Sequence, residues 1–247
     1  MNDTVPGTGT VPGTILAIDA AGHACSAALW RDGGVAVHET RVMSHGHAVE
    51  LLPMIQRVMA GGGLDLRQCE RLAVTVGPAG FTGLRIGLAT ARGLGLAIGC
   101  PVIGISSFQA AAMTALTAAP ERSLSRLPAP CLVVLDSRRA EPYVALLDRD
   151  LAFQRPPALM TVADTLDLIR RCRIEIVLGD GLATLRPDLA GGTQVIDAAP
   201  DAVAAATLAA DPQRRFDLPP DPVYLRPPDI SQPKSQRQLP QDPSRPS

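Results

Sequence analysis

Apolar and polar positions follow a definite order along this chain. TILAIDA is a short apolar run that ends in Asp19, and ACSAALW and VAVHETR follow it, separated by Arg31-Asp32-Gly33-Gly34. Two β-prone runs around an Asp-Gly-Gly turn predict a hairpin. SHGHAVELLPMIQRVMA then carries apolar residues at helical spacing, with Ser44 as the predicted N-cap and Gly61-Gly62-Gly63 as the stop. Pro53 is expected to kink this helix. RLAVTV predicts a strand, FTGLRIGLATARGLGLAIG a helix, PVIGI a strand and SFQAAAMTALTAA a helix. The order is βββαβαβα.

The order then begins again. CLVVLD ends in Asp136, PYVALLD and LAFQRPP are strand candidates, TVADTLDLIRRC is a helix, RIEIVLGD a strand and DAVAAATLAA a later helix. Ala28-Leu29 stand nine and ten residues after Asp19, and Ala145-Leu146 stand at the same distances after Asp136. The repetition predicts a duplicated α/β protein with mixed sheets, two βββαβα-type halves packed face to face, and a reduced second half. Residues 1–13 read as a disordered lead, 14–118 as the first half and 119–130 as a Pro-rich connector. Residues 131–226 read as the second half and 227–247 as a disordered Pro- and Gln-rich tail.

Within the second helix, Gly83, Gly87, Ala91, Gly95 and Gly99 recur every four residues. They make a nearly bare stripe on which another backbone can lie very close. Interior glycines cost a helix roughly 1 kcal/mol each relative to alanine, so a packing gain must offset them. The stripe packs either on the chain's own sheet or on another subunit. The first helix favours a subunit: Val49, Leu52, Ile55 and Met59 lie on one face, and Leu51, Met54 and Val58 on a neighbouring one. One face serves the core, and the broad apolar arc left over points to a partner.

Composition narrows the functions available. Apolar residues make up 46% and aromatics only 3%, so the core is aliphatic. The formal net charge of −1, with no dense Lys/Arg run, argues against this chain alone holding a nucleic-acid backbone. The five cysteines are scattered, without a Cys-x-x-Cys pair, and predict buried thiols in a reducing cytosol. The amino-terminal MNDTVPGTGTVPG has no basic and apolar regions of a secretory signal. The glycine-rich helix carries Arg85 and Arg92 and is short for a bilayer. A soluble cytoplasmic protein without a membrane role is expected.

Motifs for chemistry are few. GPAGFTG lacks the Gly-Lys-Ser/Thr ending of a phosphate loop. His23, His38, His45 and His47 form neither His-x-x-x-His nor His-Glu-x-x-His, so no metal site is expected. Asp19, followed by Ala20, Ala21 and Gly22, is either the acid of a metal–nucleotide hairpin or the cap of a tight turn. Its counterpart turn after Asp136 has Ser137, Arg138 and Arg139 where a phosphate cradle needs bare amides, so any nucleotide loop at Asp19, Gly22 and Asp136 is vestigial.

ILAIDAAGHACSAALW, HAVELLPMI, VTVGPAGFTGLRIGLATARGLGLAIG, PVIGISS, LDSRRAEPYVALL and PVYLRPP together closely resemble the TsaB (YeaZ) family, densely over residues 14–108 and again at 222–228. Ala79-Gly80-Phe81 stands where that family often has Gly-Ser-Phe, a small departure. The resemblance implies the duplicated acetate-kinase/Hsp70/actin-like (ribonuclease H-like) fold. It implies a noncatalytic scaffold that binds and activates the TsaD transferase and helps recruit TsaE, for threonylcarbamoyl transfer to N6 of the adenosine beside the tRNA anticodon. TsaC acts in the same process, tRNA enters only through the complex, and ATP acts in the wider complex rather than as a tightly bound cofactor of this chain. TsaD holds a metal through histidines four apart; FQAAAMTAL has none. Carried onto this sequence, the partner interface falls on His47, Leu51, Leu52, Pro53, Ile55 and Met59, and on Thr82, Gly83, Arg85, Ile86, Gly87, Ala91 and Gly95. The same helices could pair with their own copies as a homodimer. The alternatives are an acetate- or sugar-kinase-like phosphotransferase and an M22-type metallopeptidase homologue.

Overall fold

A computed structural model describes residues 13–117, 130–189, 191–212 and 216–225. Apart from Gly13 and Pro130, the predicted lead, connector and tail lie outside the described residues. The first half contains β1 (Thr14–Asp19), β2 (Ala24–Arg31), β3 (Gly34–Val42), α1 (His47–Gly61), β4 (Arg71–Gly77), α2 (Phe81–Ile98), β5 (Val102–Ser106) and α3 (Ser107–Thr117). The second contains β6 (Cys131–Leu135), β7 (Tyr143–Leu147), β8 (Ala158–Leu159), α4 (Val162–Cys172), β9 (Ile176–Gly179), β10 (Gln194–Asp197) and α5 (Ala202–Ala210).

The duplication is explicit in the strand order. The first sheet runs β3-β2-β1-β4-β5 and the second β8-β7-β6-β9-β10, the same arrangement with antiparallel hairpins on one side and parallel strands on the other. The predicted duplicated fold is borne out. The Asp-Gly turn also forms as expected: Asp32 and Gly33 both take positive φ, at 53° and 85°, the pattern of a type I′ hairpin turn.

Alanine-rich helices lie where the two halves meet. α5 packs on β1, β2 and β4 of the first sheet, α3 packs on β6 and β9 of the second, and the two helices touch each other. Small side chains let this double layer stay thin, and α5 is apolar nearly all round because it is covered nearly all round. Phe108, Ile105, Val133, Leu178 and Phe216 fill the remaining space. On the outer face of the first sheet, α1 and α2 cover Leu16, Ile18, Leu72 and Val74. On the outer face of the second, Ile169 of α4 packs in a cluster with Leu132, Val134 and Val177.

Several boundaries differ from the sequence reading. α1 starts at His47 behind Gly46, whose φ of 89° only glycine adopts easily; the Ser44 hydroxyl instead meets His45 Nδ1 at 2.8 Å. α1 continues as helix through Pro53. The carbonyl that Pro53 cannot bond is that of exposed Val49, where water can take the place of the amide. LAFQRPP does not form a strand: Phe153 makes an isolated bridge to Leu147, and the third strand of this half is the two-residue β8. β10 was not expected; only Val195 and Ile196 of its four residues are apolar, too short a run to signal a strand. Between β9 and β10 a short 3₁₀ turn, Arg186–Asp188, stands where the first half has α2. The shared Asp spacing does not survive as shared register. Ala28 pairs with Ala17, two before Asp19, whereas Ala145 pairs with Val133, three before Asp136.

Gly83, Gly87, Ala91 and Gly95 of the glycine stripe face the chain's own sheet, whereas Gly99, at a φ of 71°, ends the helix in the open. A Cβ at Gly83 would lie 2.1 Å from the Ala20 carbonyl oxygen, and one at Gly95 would lie 2.4 Å from Val102 Cγ2. Gly87 is nearest Ala20 and Val74, and Ala91 is fully buried. Gly93, on the outer side, has nothing within 4 Å. The two kinds of glycine should therefore respond in opposite directions. Gly83→Ala is expected to destabilise the protein by about 1–3 kcal/mol through overpacking against backbone. Gly93→Ala should stabilise it by roughly 0.5–1 kcal/mol through helix propensity. Urea unfolding of the two variants measures both signs.

Candidate partner surface and inter-half cleft

The two N-terminal helices of the first half supply both an outer surface and one wall of a cleft. α1 packs on β2 and β3, and α2 on β4, β1 and β5. This seating divides the proposed interface residues into two groups. Leu51, Ile55 and Met59 point into the core together with Met54 and Val58, and Gly87, Ala91 and Gly95 are buried under α2. His47 is only 6% exposed. These residues seat the helices on their own sheet; the geometry corrects the reading of the stripe and of the buried ridge as outward surfaces. Leu52, Pro53, Thr82 and Arg85 are exposed, and Gly83 and Ile86 are partly so. The outer surface also includes Val49, which the helical pattern placed beside Leu52 and which is 80% exposed, and two residues that the pattern did not single out, Leu96 at 88% and Val42, at the end of β3, at 84%. A helix with apolar residues on two adjoining faces does not by itself reveal which one meets the sheet.

The amino-terminal ends of α1 and α2 meet beside the second half. Here lies a cleft of about 700 Å³, walled by Gly46 and His47 of the first helix, Gly80, Phe81 and Thr82 of the second, and Arg138 from beyond β6. Tyr224 closes one side. Its ring stacks on Phe81 at 5.1 Å, its hydroxyl accepts from Arg85 Nε at 2.9 Å, and the Arg85 guanidinium lies 3.6 Å from the Phe81 ring centre. The segment that carries Tyr224 is held by the Val223 amide, which donates to Val76 O, and by a two-way backbone pairing of Gly104 with Leu218.

The hairpin tips form a separate place. His23 Nε2 and Asp136 Oδ2 are 2.8 Å apart, and Arg138 donates to Gly22 O at 3.2 Å, so each link joins one half to the other. The space left between the tips, bounded by Gly22, Asp136 and Asp180, is about 10 Å³, on the scale of one water. A phosphate chain does not fit there. Asp19 is not at this mouth at all. As the last residue of β1 it is 1% exposed, whereas Asp136 lies just past the end of β6 and is reachable. Among the described residues, no group of three or more His, Cys, Asp or Glu side chains stands close enough to hold a metal ion.

Residues 31–171 match the family described as TsaD: tRNA N6-adenosine threonylcarbamoyltransferase, more than half of the chain. The chain belongs to this family. The chain is 38% identical over 136 residues to the tRNA threonylcarbamoyladenosine biosynthesis protein TsaB of Escherichia coli K12, covering 55% of each chain. It is 34% identical over 137 residues to TsaB of Haemophilus influenzae, covering 56% of this chain and 55% of that one. The chain thus spans about half the length of the curated relatives it matches. A solved Pseudomonas aeruginosa protein with similarity to the peptidase YEAZ has the same fold, with a TM-score of 0.73 at 24% identity over 87% of this chain and 100% of that one. The expected likeness to TsaB (YeaZ) is borne out. Among the described residues no helix is long and apolar enough to cross a membrane.

In this member of the TsaD family, Asp19 is an ionisable group kept from water. Thr75 Oγ1 donates to its Oδ1, the Ala21 amide reaches the same oxygen at 3.4 Å, and Oδ2 has no partner. Burial raises its pKa to about 7, against the opposing effect of the Thr75 hydrogen bond. The native state then holds a proton that the unfolded chain releases between about pH 4 and 7, so this group makes stability fall as pH rises through that window. Asp19→Asn, which cannot ionise, should flatten the slope. Its advantage over the parent should grow between pH 5 and 8, to at most roughly 4 kcal/mol. Denaturant midpoints taken across this range check the prediction.

Proposed function

We propose that this chain is a noncatalytic partner subunit in tRNA threonylcarbamoyladenosine biosynthesis, which binds and activates TsaD and helps recruit TsaE. The observation that carries the reading is the outer surface of α1. Val49 and Leu52 lie three residues apart, both exposed, on a helix whose opposite side is already committed to the core. Neighbouring apolar side chains on one helix face suit docking of a partner helix. The names of the relatives supply the process, and the family to which residues 31–171 belong supplies the fold shared with the transferase. The closed space between the hairpin tips supports a role without ATP turnover or a tightly bound nucleotide in this chain. TsaC would act upstream, tRNA would be met through the assembled complex, and the setting would be the cytoplasm. In the absence of TsaD the same face serves for self-association.

The interface is accordingly redrawn from the sequence reading, the buried residues leaving it and exposed Val49 and Leu96 entering. It consists of Val49, Leu52 and Pro53 on α1 and the outward residues Thr82, Arg85 and Leu96 on α2. The purified chain alone should transfer nothing to tRNA, and with TsaD it should form a complex resolved by gel filtration. Val49→Asp and Leu52→Asp are expected to weaken that complex about thirtyfold or more, the scale of an interface hot spot. Because both positions are exposed, their unfolding midpoints should stay near the parent's. Undiminished affinity in both variants would remove this face from the interface, and transfer by the isolated chain would overturn the noncatalytic reading.

A further inference from the structure

Exposed aromatic and apolar side chains gather at the 700 Å³ cleft. Phe81, Val223 and Tyr224 all line it and are all exposed, and Ile86 and Tyr143 lie in the same wall. A cluster of this kind marks a docking place, whereas apolar residues exposed singly need no explanation. The wall is built before anything docks on it. Tyr224 stacks on Phe81, and its segment is pinned to β4 by the Val223 amide on Val76 O at 2.7 Å and to α2 by the Asp221–Arg92 ion pair. The volume falls within the roughly 300–1,000 Å³ of pockets that enclose a ligand.

The course of the chain identifies the occupant. The described residues end at Leu225, one past Tyr224, so the rest of the chain sets out from the rim of the cleft. Arg226-Pro227-Pro228-Asp229-Ile230 come next, in a segment that runs on to residue 247. An extended chain covers about 3.3–3.6 Å per residue, which keeps Ile230 within roughly 22 Å of Tyr224. A segment tethered so closely meets the cleft at a roughly millimolar effective concentration, and weak contacts are then enough to hold it.

Its composition suits the wall. Pro227 and Pro228 have no amide to leave unpaired on an apolar surface, and proline favours the extended conformation that aromatic-lined grooves receive. Ile230 is the one large apolar side chain between residues 226 and 238. Asp229, between the prolines and Ile230, is the one acid before residue 242. Among the described residues, no acidic side chain lines the cleft, although His45, Arg138 and Arg139 do.

We propose that the chain turns back after Tyr224 and seats residues 227–230 in this cleft, with the prolines against Phe81 and Tyr224 and Ile230 toward Tyr143 and Ile86. The occupant is the chain's own carboxy-terminal segment, and its seat does not rest on the docking of TsaD.

The two tyrosines of the chain, Tyr143 and Tyr224, both line the cleft, so labelled tyrosine rings report on it alone. In the full chain, NMR should show cross-peaks between the Ile230 methyl groups and the Tyr143 ring, unchanged on dilution. Ile230→Ser should shift both ring signals and increase their broadening by a soluble paramagnetic agent. Leu239→Ser, farther along the same segment, should leave both rings as they are in the parent. Absence of the cross-peaks, ring signals indifferent to Ile230→Ser, or an equal response to Leu239→Ser would each overturn the proposal. Cross-peaks that fade on dilution would put a second copy's segment in the cleft and overturn it as well. None of these measurements involves TsaD, so their failure leaves the proposed function standing.

Discussion

The carbonyl oxygen of Ala20 occupies the place that a side chain at Gly83 would need. This backbone-to-backbone approach sets how α2 lies on β1 and β4. A close approach recurs at Gly95, against Val102 and the Cys100 carbonyl, whereas Gly87 makes ordinary van der Waals contact with Ala20 and Val74. A helix packed through ordinary side chains stands 8–10 Å from its neighbour, and bare positions permit less. The dispersion and apolar burial gained over Leu72, Val74 and Leu88 offset the helix propensity lost at the glycines. The outer side of α2 is left free of that task.

From this contact the remainder of the first half follows. With α2 held down at its amino end, His47 at the start of α1 comes beside Gly83, and both helices begin at the same end of the sheet. Parallel placement of two helix ends at one point concentrates positive potential there, and the second half brings Arg138 to the same point. The polar side of α1 is tied separately to β3, where Arg57 donates to Glu39 at 2.8 and 2.9 Å and Arg41 donates to Glu50 at 2.7 Å. Seating and solubility thus use one part of each helix, and the exposed apolar residues are not needed for either.

The two halves share a strand order and differ in cover. Where the first sheet has α2, the second has a 3₁₀ turn, so only the first half presents a pair of helices outward. The hairpins differ too. Asp19 closes inside β1 and is sealed from water, while Asp136 lies beyond the end of β6 and reaches His23. A one-residue difference in hairpin register is enough for this, because it changes whether the acid belongs to the strand or to the turn. What in a duplicated fold could be a pair of matching jaws is here a pair of tips tied to each other.

Much of this was legible along the chain. The apolar runs in TILAIDA and ACSAALW, the Asp-Gly turn, the helical spacing in TVADTLDLIRRC and the alanine-rich segments each signal their element through local physics: apolar run length, turn conformation and residue period. The duplication was legible for the same reason, since it is a repetition of local patterns. β8 escaped because two residues show no period, and β10 because its ends, Gln194 and Asp197, are polar and exposed, whereas the four-residue β9 is a wholly buried apolar run. Tertiary structure alone decided how the apolar arc of α1 was divided, with Ile55 and Met59 turned to the sheet beside Leu51, Met54 and Val58 and only Val49 and Leu52 left outside, that the glycine stripe of α2 looked inward, and that the hairpin tips closed on each other. Periodicity specifies a face only relative to its own helix axis. Which body that face meets depends on contacts far apart in sequence, such as Gly83 with Ala20 and Arg138 with Gly22, which no local pattern encodes.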